Sequence, residues 1–223
     1  MIRVVIADDH PMMRRALAEA MTSALGAAVE VSEAGSFADA EGLLSGDPPP
    51  ALLLLDLTMP GMNGFAGLAT LRGTHPEIPV VIVSASEDPS LIRRAIEFGA
   101  AGYIPKSLPL GKIGEALRAV LAGDIWVPDS AAAVPVDRET AQLASRLADL
   151  TPQQLRVLML VAEGKHNKQV AFEMDITEAT VKFHLSQIFR KLSVQSRTQA
   201  VIAAQRMRLT GDAAGAGGAS AGD

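Results

Sequence analysis

Short apolar runs that alternate with helical patterns fill the first part of the chain and constrain its fold more than any other feature. Several runs are unbroken, as in Ala51–Leu55, which is typical of strands covered on both faces. The candidate strands are Arg3–Ala7, Ala28–Ala34, Ala51–Leu55, Pro79–Val83 and Gly102–Ile104, and the candidate helices are Met12–Leu25, Phe37–Leu44, Gly64–Arg72, Pro89–Phe98 and Leu110–Leu121. Five β-α units in series predict an α/β fold with a doubly wound, five-stranded parallel sheet and right-handed crossovers.

The pattern changes after residue 123. Residues 124–147 contain prolines and an alanine run with little periodicity, which indicates a linker whose later half could be helical. Residues 148–210 predict a small all-α domain, whose first helix begins with a capping box formed by Thr151 and Gln154. Residues 211–223 contain only Gly, Ala, Ser and Asp. We expect this tail to be disordered because it has nothing to bury.

Charge is divided unevenly along the chain. Residues 1–123 hold nine basic and fourteen acidic side chains, a balance of −5, whereas residues 148–210 hold nine basic and five acidic ones, a balance of +4. A basic second half favours a polyanionic partner, although a fluctuation of this size also arises by chance. The absence of cysteine excludes disulfides and thiolate metal sites. Because the sequence lacks a long apolar segment and a signal-peptide pattern, we expect a cytoplasmic protein with no membrane partner.

Polar and charged residues follow the strands that should lie at the centre of the sheet. Asp8 and Asp9 follow the first strand and Asp56 ends the third, so three carboxylates should meet at one edge. They would repel one another unless a cation lies among them, and Mg²⁺ is the natural choice because it prefers oxygen ligands. Ser84 and Lys106, which follow the fourth and fifth strands, reach the same edge. Phosphoryl transfer to a carboxylate requires an oxygen nucleophile, a metal and a cation, and this set supplies the nucleophile, ligands for the metal and the cation.

A resemblance to CheY-like receiver domains covers residues 1–123. It is carried by the strand-end residues just described and by the segment Leu55–Gly64, which reads Leu-Asp-Leu-Thr-Met-Pro-Gly-Met-Asn-Gly. The resemblance implies that Asp56 accepts a phosphoryl group and that Lys106 pairs with that group. The Mg²⁺ ligands that it implies are Asp9, Asp56 and the backbone carbonyl of Thr58, with Asp8 supporting the ion through water.

The same resemblance implies a conformational switch in the receiver domain. Ser84 would shift to bond a phosphoryl oxygen, and Tyr103 would rotate inward into the space that this movement vacates. Tyr103 also has a plain interpretation as a half-buried aromatic residue of a strand. Its position three residues before Lys106 favours the switch.

Two other functions fit parts of this pattern. A haloacid-dehalogenase-type hydrolase also uses a strand-end aspartate with Mg²⁺, but it needs a second aspartate two residues later as general acid and base. Thr58 occupies that position here and cannot serve. A receiver that acts only as a protein-interaction module is the other alternative, and the complete set around Asp56 argues against it. We therefore expect a phospho-accepting regulator rather than an enzyme.

The helix predicted to begin near Glu178 has two different faces. Its apolar stripe faces a small core and consists of Val181, Leu185, Ile188 and Leu192. The opposite face mixes a charge, a hydroxyl, an amide and an aromatic ring, a mixture suited to base edges in the major groove. A short turn at residues 175–177 joins this helix to one near Asn167–Met174. Two helices joined in this way predict a helix-turn-helix, although such pairs also occur in helical bundles.

Between Leu150 and Ala200 the chain contains Leu150-Thr151, Gly164, Asn167-Lys168, Val170-Ala171, Ile176-Thr177, Thr180-Val181-Lys182, His184, Leu192 and Arg197. With these residues the segment resembles the LuxR-type domain of NarL/FixJ regulators. The resemblance implies that Glu178–Leu192 is a recognition helix that binds promoter DNA and that the last helix pairs two such domains. Candidates for contacts with base edges are Lys182, Phe183, Ser186 and Gln187, and candidates for contacts with phosphates are Lys168, Thr180, Arg190 and Lys191. Phe183 could equally touch a thymine methyl group or pack against another protein. Gln154 stands where the family usually has Glu.

Together the two resemblances predict a two-component response regulator. A histidine kinase would phosphorylate Asp56, and the phosphorylated receiver would either free the recognition helix or favour a homodimer. The sequence leaves these two routes open.

Overall fold

A five-stranded parallel sheet forms the centre of the first half of the protein. The computed structural model describes residues 2–26, 28–62, 64–132 and 137–207. The strands lie in the order β2-β1-β3-β4-β5. In chain order the elements are β1 Ile2–Ala7, α1 Pro11–Leu25, β2 Val29–Ala34, α2 Phe37–Leu44, β3 Leu52–Asp56, α3 Phe65–Thr74, β4 Val80–Ser84, α4 Pro89–Glu97, β5 Gly102–Pro105 and α5 Leu110–Leu121. The predicted doubly wound parallel sheet is confirmed.

Helices cover both faces of this sheet, and the apolar strands require that cover. The strands β3 and β4 are buried along their whole length. One apolar cluster joins the sheet to α1 and α5, and another joins the opposite face to α2, α3 and α4. Because β1 and β3 pair directly, the residues that follow their carboxyl ends are neighbours.

The chain beyond α5 covers the outer edge of β5. The backbone N–H of Trp126 donates to the carbonyl of Ala101 at 3.2 Å, and the Trp126 carbonyl accepts from the N–H of Tyr103 at 3.0 Å. An exposed sheet edge is a site for unwanted pairing with other chains, and this segment blocks it. The start of the predicted linker is therefore part of the packed receiver surface.

Helices make up the rest of the described chain: α6 Asp129–Ala132, α7 Arg138–Ala148, α8 Pro152–Ala162, α9 Asn167–Met174, α10 Glu178–Leu192 and α11 Arg197–Gln205. The capping box between Thr151 and Gln154 is present. Asp175, in the left-handed conformation at φ 52°, ends α9 and turns the chain into α10. The predicted all-α second part is confirmed, and α7 is the helix that the sequence allowed for in the later half of the linker. The expected disordered tail 211–223 lies outside the described residues.

The carboxyl end of α11 is held by the receiver. The N–H of Phe65, the first residue of α3, donates to the carbonyl of Met207 at 3.0 Å. The Arg94 guanidinium of α4 donates to the carbonyl of Arg206, and it lies 5.1 Å from the centre of the Phe65 ring. The last carbonyls of a helix have no partner within the helix itself. Groups of the receiver therefore complete the end of α11.

A second contact joins α7 to the same side of the receiver. The N–H of Asp137, which caps α7, donates to the Glu97 carboxylate at 2.7 Å. At the other end of α7 the Ala148 carbonyl lies against Gly73 of α3. We name the α3–α4 side of the receiver, with Phe65, Gly73, Arg94 and Glu97, the docking surface.

Among the described residues, no helix has both the length and the apolar character needed to cross a membrane.

Candidate functional site

Three carboxylates meet at the carboxyl edge of the sheet, as predicted. Asp8 and Asp56 are each 1% exposed, whereas Asp9 is 33% exposed and forms the open side of the group. Oxygen atoms of Asp8, Asp9 and Asp56 and a ring nitrogen of His10 all lie within 4.8 Å of one another. Clustered carboxylate oxygens suit a hard divalent cation such as Mg²⁺. The residues present therefore fit the expected metal.

Lys106 lies between the two buried carboxylates. Its Nζ is 2.7 Å from Asp8 Oδ2 and donates to Asp56 Oδ2 at 3.0 Å. Burial by itself lowers the pKa of the Lys106 ammonium, but the hydrogen bonds and charges of Asp8 and Asp56 outweigh burial and raise the pKa above its ordinary value. The ammonium is therefore charged at neutral pH and lies where it can neutralise added negative charge at Asp56.

Thr58 orients the Asp56 carboxylate. Its backbone N–H donates to Asp56 Oδ1 at 3.1 Å, and its hydroxyl lies 3.0 Å from Oδ1 and 3.1 Å from Oδ2. The side chain thus hydrogen-bonds to the carboxylate but brings no acid or base of its own. The expected role of the Thr58 backbone carbonyl as a metal ligand stays a prediction.

Ser84 and Tyr103 lie together beneath the site. Ser84 is 5% exposed, and Tyr103 is fully buried with its hydroxyl donating to the Ser86 carbonyl at 2.9 Å. Burial raises the pKa of the Tyr103 phenol, and hydrogen bonds with Ser84 and Ser86 oppose part of that rise. The inward rotation expected for Tyr103 requires an outward starting position, whereas the ring is already inside. Its backbone pairing with Trp126 and the hydrogen bond to Ser86 favour this position.

His10 also belongs to the site, although it was not among the residues predicted from the sequence. Its backbone N–H donates to Asp8 Oδ1 at 2.8 Å, and its ring Nδ1 lies 2.5 Å from Asp9 Oδ1. The available signal was its position directly after two acidic residues, at the entrance to a helix.

The predicted recognition face of α10 is open to solvent. Its apolar stripe is buried, while Lys182 and Ser186 are exposed and Phe183 is 60% exposed. Gln187 is half-buried and accepts a hydrogen bond from Arg190 at 2.6 Å. The four side chains selected for base contacts therefore lie on one helix, and the docking surface does not cover the exposed ones.

The residues selected for phosphate contacts are placed less uniformly. Lys168 at the start of α9 and Arg190 near the end of α10 are exposed. Thr180 is half-buried, and its hydroxyl lies 2.9 Å from that of Thr177 in the cap of α10. Arg197, which begins α11, donates to Asn167 Oδ1 at 3.0 Å and ties the starts of α9 and α11 together.

Lys191 makes its hydrogen bonds within its own domain. Its Nζ donates to the Asp149 carbonyl at 2.7 Å and to Gln154 Oε1 at 2.8 Å. The ammonium is therefore occupied inside the domain, where it joins the end of α10 to the start of α8. The phosphate contact expected of Lys191 stays a prediction, and it would require the ammonium to leave these two oxygen atoms. The same bond means that Gln154, in place of the usual Glu, still binds a cation.

Two family models match the chain in the order of its two structural parts. The response regulator receiver domain model matches residues 4–118. The model of bacterial regulatory proteins of the luxR family matches residues 148–204.

Relatives match the chain over nearly its whole length. The glycerol metabolism activator of Pseudomonas putida is 40% identical over 217 residues, which cover 94% of this chain and 98% of that protein. The nitrate/nitrite response regulator protein NarL of Escherichia coli is 32% identical over 92% of this chain and 96% of that protein.

Solved structures agree with the fold. A structure of RcsB from Salmonella enterica serovar Typhimurium, 21% identical, covers 92% of this chain and 98% of that one with a TM-score of 0.52. A LuxR family DNA-binding response regulator from Silicibacter pomeroyi, 32% identical, covers 58% of this chain and 99% of that one with a TM-score of 0.51. The protein belongs to the response regulators, as a DNA-binding transcriptional regulator of the luxR family.

Proposed function

We propose that Asp56 is the phospho-acceptor of a two-component system. An Asp56 oxygen attacks the phosphorus of a phosphohistidine on a partner kinase, a P–O bond forms as the P–N bond breaks, and the imidazole leaves with the bonding electron pair and takes a proton. The observation that carries this proposal is the placement of Lys106 against the buried Asp56 carboxylate. An ammonium there stabilises the negative charge that the phosphoryl group brings.

The other residues of the site bind, orient or respond. Mg²⁺, held by Asp9, Asp56 and the Thr58 carbonyl with Asp8 in support, would neutralise phosphoryl oxygens when bound. Thr58 keeps the Asp56 carboxylate oriented through its N–H and hydroxyl. Ser84, buried at the end of β4, supplies a hydroxyl for one phosphoryl oxygen. Its movement changes the packing around Tyr103 and carries the signal to α4.

Promoter DNA is the proposed partner of α10. Base edges are read by Lys182, Phe183, Ser186 and Gln187, and phosphates are contacted by Lys168, Thr180 and Arg190. Support comes from the exposure of Lys182, Phe183 and Ser186 and from the RcsB structure, which is described as bound to promoter DNA. Because a bacterial regulator of this kind acts on the chromosome, its place of action is the cytoplasm. In this proposal residues 1–123 receive the signal, 124–147 link, and 148–210 bind DNA.

Dimerisation through α11, rather than access to α10, is the proposed step that phosphorylation controls. The face of α10 is already open, whereas the end of α11 is fixed by Phe65 and Arg94. Phe65 begins the helix that follows the Asp56 loop, and Arg94 lies on α4. A change around Asp56 therefore reaches both receiver groups that hold α11. Release of the end of α11 frees the helix to reorient towards a second copy, and Ile202, already 52% exposed on α11, is an apolar residue suited to that contact.

Phosphotransfer is tested with a small phosphodonor, Mg²⁺ and intact-protein mass spectrometry. The wild-type chain should gain one phosphoryl group and Asp56→Asn should gain none. Asp124→Asn, an exposed carboxylate beyond α5, is the matched control and should label like the wild type. Labelling of Asp56→Asn would refute the site. Continuous release of phosphate without a lasting adduct would favour the hydrolase, and no labelling at all would favour the interaction module.

The gating step is tested with two DNA fragments, one carrying a single half-site and one carrying two, taken from a promoter that the protein protects. Phosphodonor should leave affinity for the single half-site unchanged and raise affinity for the double site, because pairing multiplies two weak contacts. An equal gain on both fragments would mean that phosphorylation frees α10 instead.

A further inference from the structure

The ring of His10 covers the open side of the carboxylate group. Nδ1 lies 2.5 Å from Asp9 Oδ1 and 3.3 Å from Asp8 Oδ1. His10 occupies the N-cap position of α1, but its side chain makes no hydrogen bond to the helix backbone. The ring is turned back towards the carboxylates instead. Its contacts therefore belong to the phosphorylation site and not to the helix cap.

Exposure increases stepwise from the floor of the site to this ring. Asp8 is 1% exposed, Asp9 33% and His10 68%. A cation that arrives from solvent meets the imidazole first and then Asp9, the most exposed carboxylate of the three. The Asp9 carboxylate that this cation needs already has one oxygen atom, Oδ1, engaged by a ring nitrogen. The metal and the ring thus compete for the same carboxylate.

We infer that His10 is a displaceable lid on the metal position. With no divalent ion bound, its Nδ1–H donates to Asp9 and offsets the repulsion between neighbouring carboxylates. When Mg²⁺ binds, the hydrogen bond breaks and the ring swings into solvent. Mg²⁺ does not keep the imidazole as a ligand, since it prefers oxygen, whereas imidazole suits softer metals. His10 is therefore a positioning residue that weakens metal binding, and this role rests on the proposed function of the site.

Metal titration of the full-length protein by calorimetry tests the lid. His10→Ala should bind Mg²⁺ about threefold to tenfold more tightly than the wild type, the effect of one modest hydrogen bond that no longer has to break. His10→Gln retains an N–H donor and should bind close to the wild-type value. His75→Ala is the matched control, because His75 also lies near a carboxylate, 3.8 Å from Glu77, at the opposite end of the sheet.

Unchanged or weaker Mg²⁺ binding by His10→Ala would overturn the lid. A selective loss of Mn²⁺ affinity in His10→Ala would also overturn the lid, because it would show that the imidazole is a metal ligand. Nitrogen-15 spectra of the wild-type imidazoles give a second measurement that needs no substitution. The signal of the hydrogen-bonded Nδ1–H should disappear as Mg²⁺ is added, and its persistence would contradict displacement. Failure of the wild-type chain to label at Asp56 would instead refute the proposed function.

Discussion

Gly73 offers a way to separate the two parts of the protein without touching either functional site. It lies in the last turn of α3, and a Cβ atom built there would be 2.7 Å from the Ala148 carbonyl oxygen and 3.9 Å from that of Leu150. An ordinary contact is about 3.5 Å. In Gly73→Ala, α7 must therefore move away from α3 by most of an ångström, and the neighbour that must yield is backbone.

The size of the effect follows from this overlap. Overpacking of this kind costs about 1–3 kcal/mol, which shifts the ratio of separated to docked protein by about 5- to 150-fold. The alanine also stabilises α3 itself by up to about 1 kcal/mol. That gain is present in the docked and separated forms alike, so it cancels from the docking equilibrium.

Small-angle scattering measures the outcome directly. Gly73→Ala should have a larger radius of gyration than the wild type, and without phosphodonor it should dimerise more readily. Gly42→Ala is the matched control, because Gly42 lies on α2 with no atom within 4 Å of an added Cβ. It should stabilise the receiver and leave docking unchanged. A Gly73→Ala protein as compact and as monomeric as Gly42→Ala would refute the docked arrangement.

Three further outcomes are expected. Tyr103 is the only tyrosine, and because burial raises its pKa, tyrosinate absorbance should appear above the ordinary value of about 10 and return to it in urea. The folded state favours the neutral phenol, so the stability that this group contributes is complete below about pH 10 and is lost as the pH rises through the folded-state pKa. Titration of Tyr103 at an ordinary pKa would contradict its buried position. Trp126 is the only tryptophan, and its fluorescence should change when phosphodonor is added to the wild type but not when it is added to Asp56→Asn. Unchanged fluorescence in both proteins would mean that the edge of β5 does not respond to phosphorylation. If Lys182 contacts a phosphate, Lys182→Ala should reduce the steepness of log affinity for DNA against log salt concentration by about one; if it reads a base, the variant should instead lose sequence preference. Lys112→Ala, exposed on the receiver, is the control for both measurements. The same salt dependence and sequence preference in the two variants would remove Lys182 from the interface.

The carboxylate site could be predicted because it depends on a rule of local sequence. Carboxyl ends of parallel strands meet at one edge, so Asp8, Asp56 and Lys106 could be placed together from their positions after apolar runs. The apolar stripe of α10 was equally predictable from periodicity, and all of its members are buried. Both inferences need only the direction of a side chain within its own element.

Contacts between distant elements could not be predicted in this way. A helical projection places Lys191 on the flank of α10. Its ammonium binds Asp149 and Gln154, and these residues are close to it only because α8 packs against α10. The inward position of Tyr103 depends on a hydrogen bond to the β4–α4 loop and on the segment at Trp126. Periodicity describes one helix or strand at a time and cannot show which residue of another element a side chain will bind.

In the proposed mechanism, the contacts at the docking surface also decide what phosphorylation of Asp56 can change. A receiver that covered α10 would control whether a single domain touches DNA at all. Here the held element is the end of α11, whose last carbonyls are completed by Phe65 and Arg94. Without those partners, the last carbonyl groups of α11 must hydrogen-bond to water or to another protein group. The freed helix also carries an exposed isoleucine, Ile202. The regulated quantity is then the number of domains that bind together, so the response should depend steeply on protein concentration, whereas a simple block of α10 would not.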